Sequence, residues 1–207
     1  MTDKPQEHIY KNNAGTMMDR NLGATSATAG EIGVEGLMYQ WGRKDPFFRY
    51  AIDGDGKSTI KWPSYVESGT MPYAIAHPTT LLDNLDGSFW ETEKTIYDPC
   101  PAGWRVPDGG DKGVWATAGF GDNTTYDDKN HGISFSISSP SATWYPSSGL
   151  LSLEWGFVRE MCGEYWSCSL AHKDRRAYFM LFYDDGEVDV SAYDSYDSGR
   201  PVRCLKE

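Results

Sequence analysis

The sequence predicts an α+β protein of short helices, antiparallel strands and long loops, on three observations. Helical spacing of apolar residues is confined to two short stretches before residue 120, Leu37–Trp41 and Lys112–Ala118. Strict two-residue alternation takes over later, in Ile133-Ser134-Phe135-Ser136-Ile137 and in Glu187-Val188-Asp189-Val190. The 22 Gly and 11 Pro are scattered singly, which suits a loop-rich domain better than long helices.

Taken in order, Thr16 to Leu22 reads as a short strand, followed by a Gly/Ala/Thr-rich stretch to Gly36. Leu37, Met38 and Trp41 fall at i, i+1, i+4 and predict a short helix that stops before Pro46. Residues 48–98 read as loop. Within them Asp53-Gly54-Asp55-Gly56-Lys57-Ser58 resembles the front of a calcium loop, but no acidic residue stands at the twelfth position and no helices flank it. Leu81 to Trp90 is expected to pack a loop onto the body through Phe89 and Trp90. Tyr97–Pro107 is an anchor, with Pro99 and Pro101 holding the chain extended around Cys100 and Trp104 and Val106 on one side of a short strand. A glycine-weakened helix is expected around Lys112–Ala118, then strands at Ile133–Ile137 and in Ser148–Leu153.

The end of the chain is the most informative part. Tyr165–Ser169 reads as part of a rigid frame, Ala177–Tyr183 as a strand, Asp184-Asp185-Gly186 as a turn, and Glu187–Val190 as the returning strand. Side chains of a strand alternate between faces, so Phe179, Leu181 and Tyr183 share one face and Tyr178, Met180 and Phe182 the other. Ser191–Ser198 alternates Tyr, Asp and Ser without a period, the chemistry of a binding loop. The expectation is that Phe179, Leu181, Tyr183, Asp185, Asp189, Tyr193, Asp194, Ser195, Tyr196 and Ser198 form one exposed ligand-binding surface. Trp41, Trp104, Trp166, Val188, Val190 and Val202 are expected in the core.

Composition narrows the function. The chain has 207 residues, of which 14% are aromatic, including 8 Trp and 13 Tyr, so it can build a core. Residues 1–15 read as an N-terminal extension or leader strand and 16–207 as a single domain. A net charge of −11 disfavours nucleic acid and anionic membranes as partners. No apolar run is long enough to span a bilayer, so membrane insertion is not expected. Met1-Thr2-Asp3-Lys4-Pro5 shows no signal-peptide core, which fits either a chain made without one or a segment of a longer exported protein. Cys100, Cys162, Cys168 and Cys204 form no C-x-x-C pair, and His8, His77, His131 and His172 are dispersed, so neither metal nor cofactor is expected. The cysteines read either as disulfides of an oxidising compartment or as buried thiols.

The anchors together resemble a known family. Asp19–Ala24, Gly36–Phe47, Tyr97–Pro107, Tyr165-Trp166-Ser167 and Gly199–Cys204 occur in the order found in the Fibrobacter-type major paralogous domain, which is common in surface and fimbrial tip proteins of Bacteroides-like bacteria. That resemblance implies a C-type-lectin-like fold, shared with formylglycine-generating enzymes, and a place at a cell surface. Such folds bring their chain ends together, so the resemblance implies a Cys100–Cys204 disulfide. The C-terminal region is further similar to the variable proteins of diversity-generating retroelements. There randomised Asn codons yield residues such as Phe, Leu, Tyr, Asp and Ser but never Met, Trp, Glu, Lys or Gln. All the candidate surface residues lie within the permitted set; Met180, Glu187 and Lys173 lie outside it.

The expected function is therefore a non-enzymatic adhesin or receptor-binding domain with a diversified surface. Its partner would be a protein or glycan ligand on another cell or host surface, with pilus subunits as further partners. The location is extracellular or at the cell surface, within a larger exported protein or pilus, with a phage virion as the alternative. Two other readings stand beside it. One is a calcium-independent carbohydrate-binding adhesin using Tyr193 and Tyr196. The other is a relative of formylglycine-generating enzymes using Cys162 and Cys168. Carboxylate pairs such as Asp184/Asp185 and Glu154/Glu160 are expected by chance among 30 acidic residues, and no nucleophile elbow or phosphate loop is present.

Overall fold

The computed structural model describes residues 4–47, 64–66, 80–82, 89–121, 124–152, 156–158, 162–172 and 176–207. Strand accounts for 42% and helix for 5%, which makes the class all-β. The expectation of an α+β, C-type-lectin-like fold is corrected accordingly. The helical reading of Leu37–Trp41 is where it fails. Met38, Tyr39 and Gln40 form a strand and all three are buried. A strand covered on both faces shows no alternation, so its apolar residues fall at helical spacing by accident. The second pattern does form a helix, α1 (Val114–Ala118), but only five residues long. Gly113 offers no side-chain cap at its start, and Gly119, at φ 84°, ends it in the left-handed conformation.

The strands in chain order are β1 (Glu7–Tyr10), β2 (Gly15–Met18), β3 (Met38–Gln40), β4 (Ser64–Val66), β5 (Thr80–Leu82), β6 (Trp104–Arg105), β7 (Thr124–Asp127), β8 (Gly132–Phe135), β9 (Ser138–Ser139), β10 (Thr143–Pro146), β11 (Leu150–Ser152), β12 (Gly156–Val158), β13 (Cys162–His172), β14 (Arg176–Tyr183), β15 (Val188–Ser195), β16 (Gly199–Pro201) and β17 (Leu205–Lys206). They form a five-stranded sheet β6-β17-β2-β1-β9, a four-stranded sheet β12-β11-β16-β3, two three-stranded sheets β10-β8-β7 and β13-β14-β15, and the parallel pair β4-β5. The two chain ends meet in the first sheet, where Leu205 pairs with Met17. The stretch set apart as 1–15 therefore contributes an inner strand, and its Tyr10 is buried in the core.

The sheet β13-β14-β15 divides two hydrophobic cores. Tyr165, Met180 and Phe182 point into one, with Trp115, Phe135 and Tyr145. Trp166, Ala177 and Phe179 point into the other, with Trp41, Trp90 and Val202. Of the expected core residues, Trp41, Trp166 and Val202 are fully buried, while Trp104, Val188 and Val190 are half-buried against the cores' edges. Trp166 donates its indole N–H to the Tyr39 carbonyl at 3.0 Å and meets Phe179 edge-on. Trp166→Ala is expected to cost about 3–5 kcal/mol, through the cavity and the orphaned carbonyl together. An unchanged urea midpoint would show that Trp166 is not part of the frame.

Cys100 and Cys204 are bonded, as the resemblance implied, across 104 positions. The Pro-Cys-Pro anchor is also held by a buried carboxylate. Asp98 accepts hydrogen bonds from the Cys100 and Val106 backbone N–H groups, both at 2.8 Å, and from Lys94 Nζ at 3.0 Å. Lys94 spends its remaining donors on the Cys100 and Trp104 carbonyls. The Lys94 and Asp98 charges thus serve to shape this segment's backbone.

Candidate recognition surface

Residues of β14 alternate as expected. Ala177, Phe179, Leu181 and Tyr183 lie on one face, and their β13 partners Trp166, Glu164 and Cys162 stand beside Phe179, Leu181 and Tyr183. The inner half of this face is covered. Arg200, on β16, lies with its guanidinium 4.1 Å from the Phe179 ring centre and 4.2 Å from that of Trp166. It is 1% exposed, and a buried cation requires partners. Its Nε donates to Glu164 Oε2 at 2.6 Å, Nη2 to Asp194 Oδ2 at 2.9 Å, and Nη1 to Ser198 Oγ. Tyr196 turns inward and stacks on Trp41, with centroids 4.4 Å apart.

Phe179, Tyr196 and Ser198 are therefore buried, which corrects their assignment to an exposed surface. Phe179 and Tyr196 have ring partners that bury apolar area, and the Ser198 hydroxyl serves the guanidinium. The outer half of the face is open. Leu181 is half-buried, Tyr183 is 44% exposed, and Asp185 and Asp189 are exposed; Asp194, opposite Ala177 at the Arg200 end, is exposed as well. The turn expected at Asp184–Gly186 forms, with Gly186 at φ 87° and the Asp185 carboxylate accepting the Glu187 N–H.

The expected loop from Ser191 is strand as far as Ser195, a second correction. A bulge explains why no period is visible. Phe179 pairs with Ala192 but Leu181 with Asp189, so β15 carries one residue more than β14 between these pairs. The bulge reverses the side on which later residues emerge. Val188 and Val190 pack against the first core, whereas Ala192 belongs to the second. Tyr193 pairs with Tyr178 and so lies on the face opposite Tyr183. There it meets Tyr178 edge-on at 6.2 Å and carries the Arg176 guanidinium 5.7 Å from its ring centre. Half-buried Ser195 pairs with Arg176. The single surface expected from the sequence is thus split between two faces. Arg200 and Glu164 fasten the site from beneath; in a one-dimensional reading Arg200 has only its place in an anchor segment and Glu164 lies just before one. Arg176 likewise reads as an ordinary turn-flanking charge.

Of the two free cysteines, Cys162 stands beside Tyr183 and Cys168 is placed apart from this surface. Cys168 lies at an open cleft of about 530 Å³ between residues 90–93 and 168–170. Its thiol is pushed up to about 12, first by burial and then by Asp108, whose carboxylate is 3.6 Å away. Cys162 is six residues away on the same strand, roughly 20 Å at the rise of a strand, so the two do not form a dithiol. In the unfolded chain the Cys168 thiol ionises near 9.0, well below its folded value of about 12. Its contribution to stability is complete below pH ~9 and falls as pH rises toward 12. Buried Tyr10 and Tyr165 are raised in the same sense, mainly by burial. Urea midpoints are expected to be level from pH 7 to 9 and to drop by pH 11; a midpoint that rises over this range would contradict these placements.

Asp53–Ser58, Glu154, Glu160 and Lys173 lie outside the described residues. Among the described residues no three His, Cys, Asp or Glu side chains converge on a metal position, and no helix is long and apolar enough to cross a membrane. Comparison of the chain with protein-family models, curated proteins and solved structures finds no match.

Proposed function

We propose that this is a non-enzymatic recognition domain of an exported cell-surface or pilus-tip protein, and that its ligand sits on the outer end of the β14–β15 hairpin. The observation that carries the reading is an open strip, Leu181, Tyr183 and Asp189, on a sheet whose inner half is pinned by the Arg200–Glu164–Asp194 network. Rigid support beneath adaptable surface residues is what a binding site needs. The Cys100–Cys204 bond supports an oxidising compartment. The order of the anchor segments, similar to surface and fimbrial tip proteins, supports the location. Leu181, Tyr183, Asp185, Asp189, Tyr193 and Asp194 combine exposure or partial exposure with residue types allowed by retroelement diversification, and Met180, outside the allowed set, is fully buried. Glu187, also outside it, is exposed in the turn. A thiol as protonated as Cys168 favours binding over thiolate catalysis.

The test is a screen of the purified chain on glycan and cell-surface-protein arrays, with a Leu181→Ser/Tyr183→Ser/Asp189→Ser/Tyr193→Ser variant alongside. The variant is expected to keep its circular dichroism spectrum and lose at least tenfold in binding. A variant that folds and binds like the parent would remove the hairpin from the site. One observation favours the calcium-independent glycan reading as a second choice. Tyr193 is 45% exposed and braced by Tyr178 and Arg176, a platform on which a sugar ring can stack. Glycan binding abolished by Tyr193→Ala alone would select it.

A further inference from the structure

The open end of the Leu181/Tyr183 face has a distinct electrostatic character. Leu181 is flanked by Glu164 on β13 and Asp189 on β15, and Tyr183 leads into a turn carrying Asp184, Asp185 and Glu187. The Glu164 charge is already matched by Arg200 in the interior. Asp184, Asp185, Glu187 and Asp189 have no Lys or Arg within salt-bridge distance among the described residues. Asp185 and Asp189 each commit one oxygen to a backbone N–H, of Glu187 and Ser191 respectively. These bonds fix the carboxylates in place without neutralising them. The Tyr183 hydroxyl titrates above its ordinary value, through burial first and then through Cys162, Glu164, Glu187 and Asp189.

We propose, on the reading that this hairpin is the binding site, that its occupant is a cationic polypeptide surface, with Lys or Arg side chains placed around an apolar group that covers Leu181 and Tyr183. An aromatic anchor ringed by fixed charge of one sign is the arrangement in which contact area supplies affinity and charge selects the partner. A second copy of this chain on a two-fold axis would set the same carboxylates against each other. Nucleic acid and sialylated or sulfated glycans carry the wrong sign. The chain's net charge of −11 adds long-range attraction for a basic partner.

The test uses the full chain on an array of synthetic peptides graded in Lys and Arg content, with a glycan array in parallel. Binding is expected to basic peptides that also carry Leu or aromatic residues, weakening as salt rises. Tyr183→Ser should lose at least tenfold. Asp185→Asn/Asp189→Asn should lose severalfold and flatten the salt dependence, whereas Glu91→Gln/Glu93→Gln, beside the separate cleft, should behave like the parent. Equal retention of neutral or acidic peptides overturns the inference, as does an equal loss in the Glu91/Glu93 control, which would mean general ionic adsorption. Binding only to glycans, lost in Tyr183→Ser, overturns it while leaving the hairpin as the recognition site. Binding that no hairpin variant alters overturns both, and no binding to either array overturns the cationic partner.

Discussion

Arg200→Met is expected to destabilise the fold by about 3–5 kcal/mol, because it strands the Glu164 carboxylate in the interior. Glu164 is 7% exposed, and Arg200 Nε is its charge partner at 2.6 Å. The change also strips a cation from over the Trp166 and Phe179 rings and releases Asp194 and Ser198 from their donors. Arg200→Met/Glu164→Leu should recover much of the loss, since it removes both charges and fills their space with apolar atoms. Urea unfolding followed by circular dichroism reads all three proteins. Equal midpoints for the parent and Arg200→Met would mean that the guanidinium is not holding a buried charge. The double variant has a second use. With Asp194 no longer tethered, ligand binding should weaken even where stability is restored, which separates support of the surface from support of the fold.

Removal of the Cys100–Cys204 bond is the second large effect. The bond spans 104 positions. Native disulfides of this kind contribute about 2–5 kcal/mol, and the chain-entropy argument for a loop of about 100 residues gives close to 5. Both sulfurs are buried, so Cys100→Ala/Cys204→Ala adds a packing loss as well. A fall in melting temperature of about 5–20 °C is expected for a chain of this size, at about 2–4 °C per kcal/mol. The same fall should follow reduction of the parent protein by dithiothreitol, and the double variant should be indifferent to it. A parent protein whose melting temperature ignores reduction would show that the bond does not form. The bond ties the extended Pro-Cys-Pro anchor to the segment before β17, so its loss should also loosen the sheet where the chain ends meet.

What the sequence determined by itself is what short-range chemistry controls. A continuous apolar and aromatic run located the strand Ala177–Tyr183, and the two-residue period of a strand sorted its side chains correctly into two faces, because that period depends only on the backbone. Asp184-Asp185-Gly186 specified a turn because Gly186 supplies the positive φ and Asp185 caps the Glu187 N–H. Trp41, Trp166 and Val202 were legible as core from size and apolarity. Only the tertiary structure decided which part of each face is covered. Phe179 is hidden by an arginine two strands away in the sequence, and a charge in a Gly-Arg-Pro segment gives no local sign that it will be buried against two rings. Tyr196 is hidden by Trp41, 155 positions distant, through a contact no window can see. The extra residue in β15 cannot be read from one strand, since a bulge exists only relative to its partner; it sends Tyr193 to the face opposite Tyr183 and divides the surface. Met38–Gln40 became a strand because β16 supplied its hydrogen-bond partners, which outweighs a helical spacing only a few residues long.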